Sequence, residues 1–326
     1  MVSFGIVGTN FISDRFIEGA RLVKGVKIEA VCSRQLETAN AFADKHSIPL
    51  RFDQYETMLN SHINAVYIAS PTNLHVHYAR LALQQGKHVL CEKPVTSNAK
   101  ELKELISLAE QHQVVFMEAM KSTCMPGFTK LKESLSEIGT IRRYFASFCQ
   151  YSSRYDAYKA GEVLNAFKPE FSNGALMDIG VYCIYPAILL FGKPKAIKAS
   201  AYMLESGVDG EGSVILEYEN MQAVVMFSKI SDSSLPMEIQ GEAGNLLVDK
   251  VSQPTQVWKQ LKGEQATQIA PFTEEHNMCY EVESFVEAIN TNQIESSINT
   301  HATSLAVMEV LDEIRQQIGL VFPADK

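Results

Sequence analysis

A lysine in a tight turn and an acid–tyrosine pair on one helix are the side chains best placed to do chemistry. Lys93 stands in Glu92-Lys93-Pro94, directly after the apolar run His88–Cys91. A lysine at the carboxyl end of a strand can polarise a carbonyl or lower a neighbour's pKa. Asp178 and Tyr182 lie four positions apart within the helical pattern Gly174–Phe191, so they share a face and can reach one pocket together. Each has a plainer alternative: a turn lysine with no chemical duty, and a core tyrosine whose hydroxyl is satisfied by Asp178.

A second set of residues suits a dinucleotide. The strand VSFGIVG runs into Gly8-Thr9-Asn10-Phe11-Ile12-Ser13 and then a helix. A helix N-terminus there offers free N–H groups and partial positive charge to a pyrophosphate. Only the first glycine of the usual G-x-G-x-x-G/A fingerprint is present, although Asn10 can adopt a left-handed conformation and Ser13 is small. A strand-to-helix turn without a ligand is the competing interpretation. After the second strand stands Cys32-Ser33-Arg34 instead of the Asp or Glu that accepts from ribose hydroxyls. A hydroxyl and a guanidinium suit a 2′-phosphate, which predicts NADP ahead of NAD; a solvent-facing arginine at a helix start is the alternative.

These residues must be carried by two kinds of structure. Through about residue 120, apolar β-branched runs (Val2–Val7, Ile28–Cys32, Ala65–Ala69, His88–Cys91, Val114–Met117) alternate with helical patterns near Phe11–Val23, Leu36–His46, Leu74–Gln85 and Ala99–His112. That alternation predicts an α/β Rossmann domain with a doubly wound parallel sheet over residues 1–120. From about Ile141 the texture changes to long alternating stretches such as IRRYFASFCQY, GSVILEYE and MQAVVMFSKI. The expectation for residues 121–326 is an α+β domain with a large, mainly antiparallel open sheet. Helices are expected at Gly174–Phe191, Glu281–Ile289 and Thr303–Ile318.

With 326 residues, 46% hydrophobic and 21% charged, the chain is long enough for two cores of ordinary globular composition. A formal charge of −9 without a basic run argues against nucleic acid and anionic membranes as partners. The six cysteines form no C-x-x-C pair, and His75 with His77 makes a metal-like spacing without a carboxylate cluster, so no metal site is expected. No apolar stretch is expected to reach the roughly 20 residues of a membrane span, and the N-terminal residues carry no leader pattern, so the expected compartment is the cytoplasm.

The segment IASPTNLHVHYARLALQQGKHVLCEKPVT, with Glu118-Ala119, the run Gly174-Ala175-Leu176-Met177-Asp178-Ile179-Gly180-Val181-Tyr182 and the late GEAGNLLV, resembles the Gfo/Idh/MocA oxidoreductase family along essentially the full length. The resemblance implies that Lys93 stands beside the nicotinamide and the reacting oxygen, with Pro94 holding the turn, often through a cis bond. It further implies that Ser70, Pro71, Thr72, Asn73, His75 and Glu92 lie around the cofactor. Relatives often carry histidine where Tyr182 stands. A tyrosine there is similar to the dihydrodiol dehydrogenase and glucose-fructose oxidoreductase branch, in which the phenol exchanges the proton. Its ordinary pKa near 10 must fall for that work, and the Lys93 ammonium is the means. Lys121-Ser122-Thr123 replaces an aromatic and an arginine common in relatives, so the substrate pocket is expected to differ from those of the better-known sugar dehydrogenases.

The function expected is hydride transfer between NADP or NAD and a secondary alcohol of a sugar, polyol or cyclic diol, in a homodimer joined through the C-terminal sheet. The alternative is a dinucleotide-binding sensor without turnover.

Overall fold

The first third of the chain folds as its periodicity demands. In the computed structural model, which describes residues 1–326, it runs β1 (Val2–Val7), α1 (Phe11–Ala20), β2 (Val26–Cys32), α2 (Leu36–His46), β3 (Leu50–Phe52), α3 (Tyr55–Leu59), β4 (Ala65–Ile68), α4 (His75–Gln84), β5 (His88–Glu92), α5 (Ala99–His112) and β6 (Phe116–Ala119). The six strands are parallel in the order β3-β2-β1-β4-β5-β6. Every residue of β4 and β6 is buried, as helices on both faces of a parallel sheet require. The chain reverses its direction of winding between β1 and β4, the place where such sheets bind ligands.

The remainder holds α6 (Lys121–Cys124), α7 (Pro126–Glu133), β7 (Ile141–Cys149), α8 (Tyr155–Lys159), α9 (Val181–Phe191), β8 (Ala196–Met203), β9 (Asp209–Glu217), β10 (Gln222–Ser228), β11 (Met237–Gly241), β12 (Gly244–Val248), β13 (Val257–Leu261), β14 (Thr267–Gln268), α10 (Cys279–Asn290) and α11 (His301–Ile318). Its eight strands are ordered β14-β13-β12-β11-β7-β10-β9-β8. All pairs are antiparallel except β7 with β10. On one face Tyr144, Ala146, Val214, Leu216, Ala223, Val225 and Phe227 are buried, and α9 packs on β7 and β10.

Two compact units result: Met1–Thr96 with Lys100–Lys121 and Glu274–His301, and Ser97–Ala99 with Ser122–Thr273 and Ala302–Lys326. A single cut at residue 120 therefore misplaces α10. Its Phe285 ring lies 5.6 Å from Phe4 of β1, and Gly19 of α1 lets the backbone of Met278 and Cys279 come so close that an added Cβ would sit 2.7 Å from the Cys279 nitrogen. That apolar contact belongs to the first core.

One expectation about membranes needs correction. Pro169–Phe191 is 23 residues long, and its most apolar 18-residue window has a mean hydropathy of 1.7, apolar enough to cross a bilayer by length and composition. Its apolarity has another cause, since 72% of the most apolar window is buried inside the protein and α9 is the helix covering the large sheet.

Candidate active site

In the first unit, the turn after β1 is built for close backbone approach. Gly8 has φ +100, and a Cβ there would meet the Ala69 carbonyl oxygen at 2.6 Å, so no L side chain fits. Asn10 does not use the left-handed conformation open to it: its backbone is extended, with φ −89 and ψ 177. It acts as the N-cap of α1, accepting from Ile12 N at 3.0 Å and Ser13 N at 3.4 Å while donating to Ala69 O at 2.8 Å. A cap takes the place of the missing second glycine, and Ser13 Oγ donates back to Gly8 O at 2.9 Å. Phe11 is 71% exposed, Thr9 and Ile12 are half-buried, Ser33 is half-buried and Arg34 is exposed.

The turn bearing Lys93 is held from three sides. β5 delivers it, with a cis Lys93–Pro94 bond. His75, at the start of α4, is buried with Nδ1 3.0 Å from Pro94 O and Nε2 2.9 Å from Ser70 O. Burial pushes its pKa down to about 4 despite the two carbonyls, so at neutral pH the ring is neutral and donates to only one of them. Glu118 of β6 accepts the Val95 N–H at 3.1 Å. Between buried Glu92 and buried Pro94, Lys93 alone keeps partial exposure.

Glu92 faces inward, accepting from Tyr67 Oη at 2.5 Å. Burial holds its carboxyl above the usual range. Glu281 of α10 is fully buried with neither carboxylate oxygen hydrogen-bonded; burial and the Glu92 charge raise its pKa well above the usual carboxylate range, and Lys121 opposes them. Lys121 donates to Asn277 at 3.2 Å, and burial lowers its own pKa.

In the second unit, Gly174 precedes the helical segment carrying Asp178 and Tyr182, with φ +142, and Asp209 Oδ2 accepts the Leu176 N–H at 2.6 Å. Leu176–Gly180 then forms a π-helical turn that passes into α9. Wider i→i+5 turns of this kind concentrate at functional sites. From Gly174 to Ile188 every residue is buried except Asp178 and Tyr182. The shared face expected from their spacing thus stays open on an otherwise buried helix. Tyr182 packs edge-on to Phe148, with ring centroids 5.7 Å apart. Asp178 Oδ2 pairs with Lys229 Nζ at 2.7 Å.

Comparison with known proteins decides what this architecture is. The model of an oxidoreductase family with an NAD-binding Rossmann fold matches residues 2–120, and the Gfo/Idh/MocA C-terminal domain matches residues 128–247. The chain belongs to the Gfo/Idh/MocA oxidoreductase family. Scyllo-inositol 2-dehydrogenase (NADP(+)) IolU of Bacillus subtilis (strain 168) is 51% identical over 100% of both chains. Trans-1,2-dihydrobenzene-1,2-diol dehydrogenase of Xenopus tropicalis is 30% identical, covering 98% of this chain and 99% of its own. Levoglucosan dehydrogenase in complex with NADH and levoglucosan has the same fold, with a TM-score of 0.87, 18% identity and coverage of 98% and 97%.

As a Gfo/Idh/MocA protein the chain is an NAD(P)-dependent oxidoreductase acting on CH–OH groups, which decides for the enzyme against the sensor. The residues of the first unit fit a dinucleotide. Gly8 leaves a cradle that a Cβ would fill, and Asn73 Oδ1, in the loop after β4, is a buried acceptor with no partner, ready for a donor on a bound group. Thr72 is buried beside it, whereas Ser70 is half-buried and Pro71 exposed.

Sequence reasoning missed Lys229, Asp209 and Glu281. Lys229 carried a usable signal, a lone lysine closing the apolar strand pattern AVVMFSK. Asp209 and Glu281 carried none, since each reads as an ordinary polar residue of a strand or helix.

Proposed function

We propose that the chain is an NADP(H)-dependent dehydrogenase of a cyclic polyol, with scyllo-inositol as the first substrate to test. The observation that carries this reading is the 51% identity, across both full lengths, with a dehydrogenase named for that substrate and cofactor. The pair Ser33 and Arg34, without a carboxylate after β2, supports the choice of NADP.

In this reading the α1 N-terminus and the Gly8 turn hold the pyrophosphate, Arg34 and Ser33 hold the 2′-phosphate, and the residues from Ser70 to His75 with Glu92 frame the nicotinamide end. When bound, the nicotinamide accepts the hydride that leaves the alcohol carbon. Tyr182 takes the hydroxyl proton as the carbonyl forms and returns it in the reverse direction. Lys93 orients the substrate oxygen and stabilises the phenolate. Asp178, a half-buried carboxylate four residues before Tyr182, orients the substrate hydroxyls or the tyrosine.

The assembly proposed is a homodimer through the outer face of the large sheet. Across β9, β10 and β7, Ile215, Val224 and Phe145 stand opposite one another in a continuous apolar row, with Met226 one step along and Ile215 37% exposed. An apolar row on a sheet face suits a self-complementary contact. The cytoplasm is the proposed compartment, in keeping with six free cysteines.

The test is reduction of NADP+ by scyllo-inositol, other inositols, aldoses and trans-diols, followed by the absorbance of the reduced nicotinamide. Turnover of a cyclic polyol above all others supports the proposal. Activity confined to another class, or with NAD+ alone, overturns it.

A further inference from the structure

Lys229 is the only lysine among the buried polar residues. Its position is set by its own backbone, which donates to Gly210 O at 2.8 Å and accepts from Ser152 N at 2.9 Å. The side chain is therefore directed from the end of β10 into the second unit, where its ammonium meets three groups from two separate segments. Asp178 Oδ2 lies at 2.7 Å, Ala166 O at 3.4 Å, and the Phe167 ring at 5.4 Å from its centroid.

Such an arrangement is a poor way to gain stability. The lysine side chain is 5% exposed and its carboxylate partner 37%, so the desolvation cost falls on the cation while water still competes for the anion. A buried ion pair of this kind commonly adds no more stability than an apolar residue of similar volume. Lys229 instead ties together two parts of the second unit. One is the π-helical turn holding Asp178, one turn before Tyr182. The other is the segment from Tyr155 to Phe167, whose rings pack on one another with centroids 5.4 to 5.8 Å apart.

We propose that Lys229 is a positioning residue for substrate, clamping the half-exposed Asp178 carboxylate to the buried Ala166–Phe167 segment so that the carboxylate keeps one fixed arrangement toward the polyol. The proposal rests on the dehydrogenase reading above. The same charge reaches Asp209, which caps the Tyr182 helix: burial raises that carboxyl's pKa, and Lys229 works against the rise.

The test uses the full-length enzyme with its best polyol. Lys229→Met should raise KM for the polyol and lower kcat/KM by about 10- to 100-fold, the size expected for a small misplacement of a reacting group. NADPH affinity should stay within twofold. Lys229→Arg keeps the cation and should recover part of the loss. Hydrogen exchange across Tyr155–Phe167 should rise in Lys229→Met while α9 remains protected. If Lys229→Met does not fold, Lys229→Gln answers the same question, because it keeps a polar group at the buried site while removing the charge and shortening the reach to Asp178 and Ala166; at least a fivefold fall in kcat/KM is then expected. An active parent enzyme whose Met and Gln variants keep kcat/KM and exchange within twofold overturns the clamp alone. A parent that reduces NADP+ with no polyol overturns the dehydrogenase reading, and the clamp with it.

Discussion

The Asp209 carboxylate accepts the Leu176 N–H at 2.6 Å and thereby starts the helix that carries both Asp178 and Tyr182. Burial raises the Asp209 pKa from 3.8 to about 6, so its second oxygen, which has no hydrogen-bond partner, keeps a proton that the unfolded chain releases. A raised acid pKa favours the folded state below about pH 4 and loses that advantage as pH climbs toward 6. Asp209→Asn does not titrate. Its stability relative to the parent should therefore rise by about 2 kcal/mol between pH 4 and pH 7, most of the linkage of a shift of about two units. Urea unfolding of both proteins across that range measures it, and a pH-independent difference would refute the protonated cap.

Glu281 obeys the same sign. Its pKa lies well above the usual range because of burial and the Glu92 charge, so it favours folding below about pH 4.5 and costs stability as the pH rises. Glu281→Gln should be more stable than the parent at pH 8, with the advantage shrinking toward pH 5. Denaturation midpoints at the two pH values decide; a variant less stable at both would show that Lys121 needs this carboxylate.

Cofactor choice turns on Arg34, exposed after β2. Arg34→Ala should weaken NADPH binding by roughly 1.5–3 kcal/mol, or about 10- to 150-fold, the worth of a charge-assisted hydrogen bond to phosphate, and leave NADH binding nearly unchanged. Fluorescence titration with both cofactors checks this. Tighter NADH binding by the unaltered protein would remove the role.

Much of this was legible before any coordinates. The alternation of apolar runs and helical patterns marked β1, α2, α5 and the Lys93 turn, because periods of 2 and 3.6 carry the core face directly. Phe285 and its neighbours announced an amphipathic α10, but a period tells which face is buried and not which unit covers it. Spacing alone could not show the π-helical turn under Asp178, since i→i+4 and i→i+5 bonding share one apolar pattern. Nor could it pair Asp178 with Lys229, 51 positions away. The half-buried pair Asp178 and Tyr182 is readable as a shared face, whereas the left-handed conformation open to Asn10 gives way to a side-chain cap.

The apolar row Ile215, Val224 and Phe145 predicts association. Sedimentation equilibrium at micromolar concentration should return at least twice the 36.3 kDa chain mass, and Val224→Lys should shift the protein toward monomer. A monomeric parent would leave the row without its proposed partner.

The central claim is that Tyr182 exchanges the substrate proton, and it is tested most directly by the turnover of Tyr182→Phe with a confirmed polyol and saturating NADP+. The substitution removes one phenolic oxygen from a half-buried ring packed on Phe148, so the fold and NADPH affinity should persist. Turnover should fall by roughly 10²–10⁴, the span for losing a general acid–base group. Turnover equal to that of the parent would contradict the assignment and pass the proton to another group.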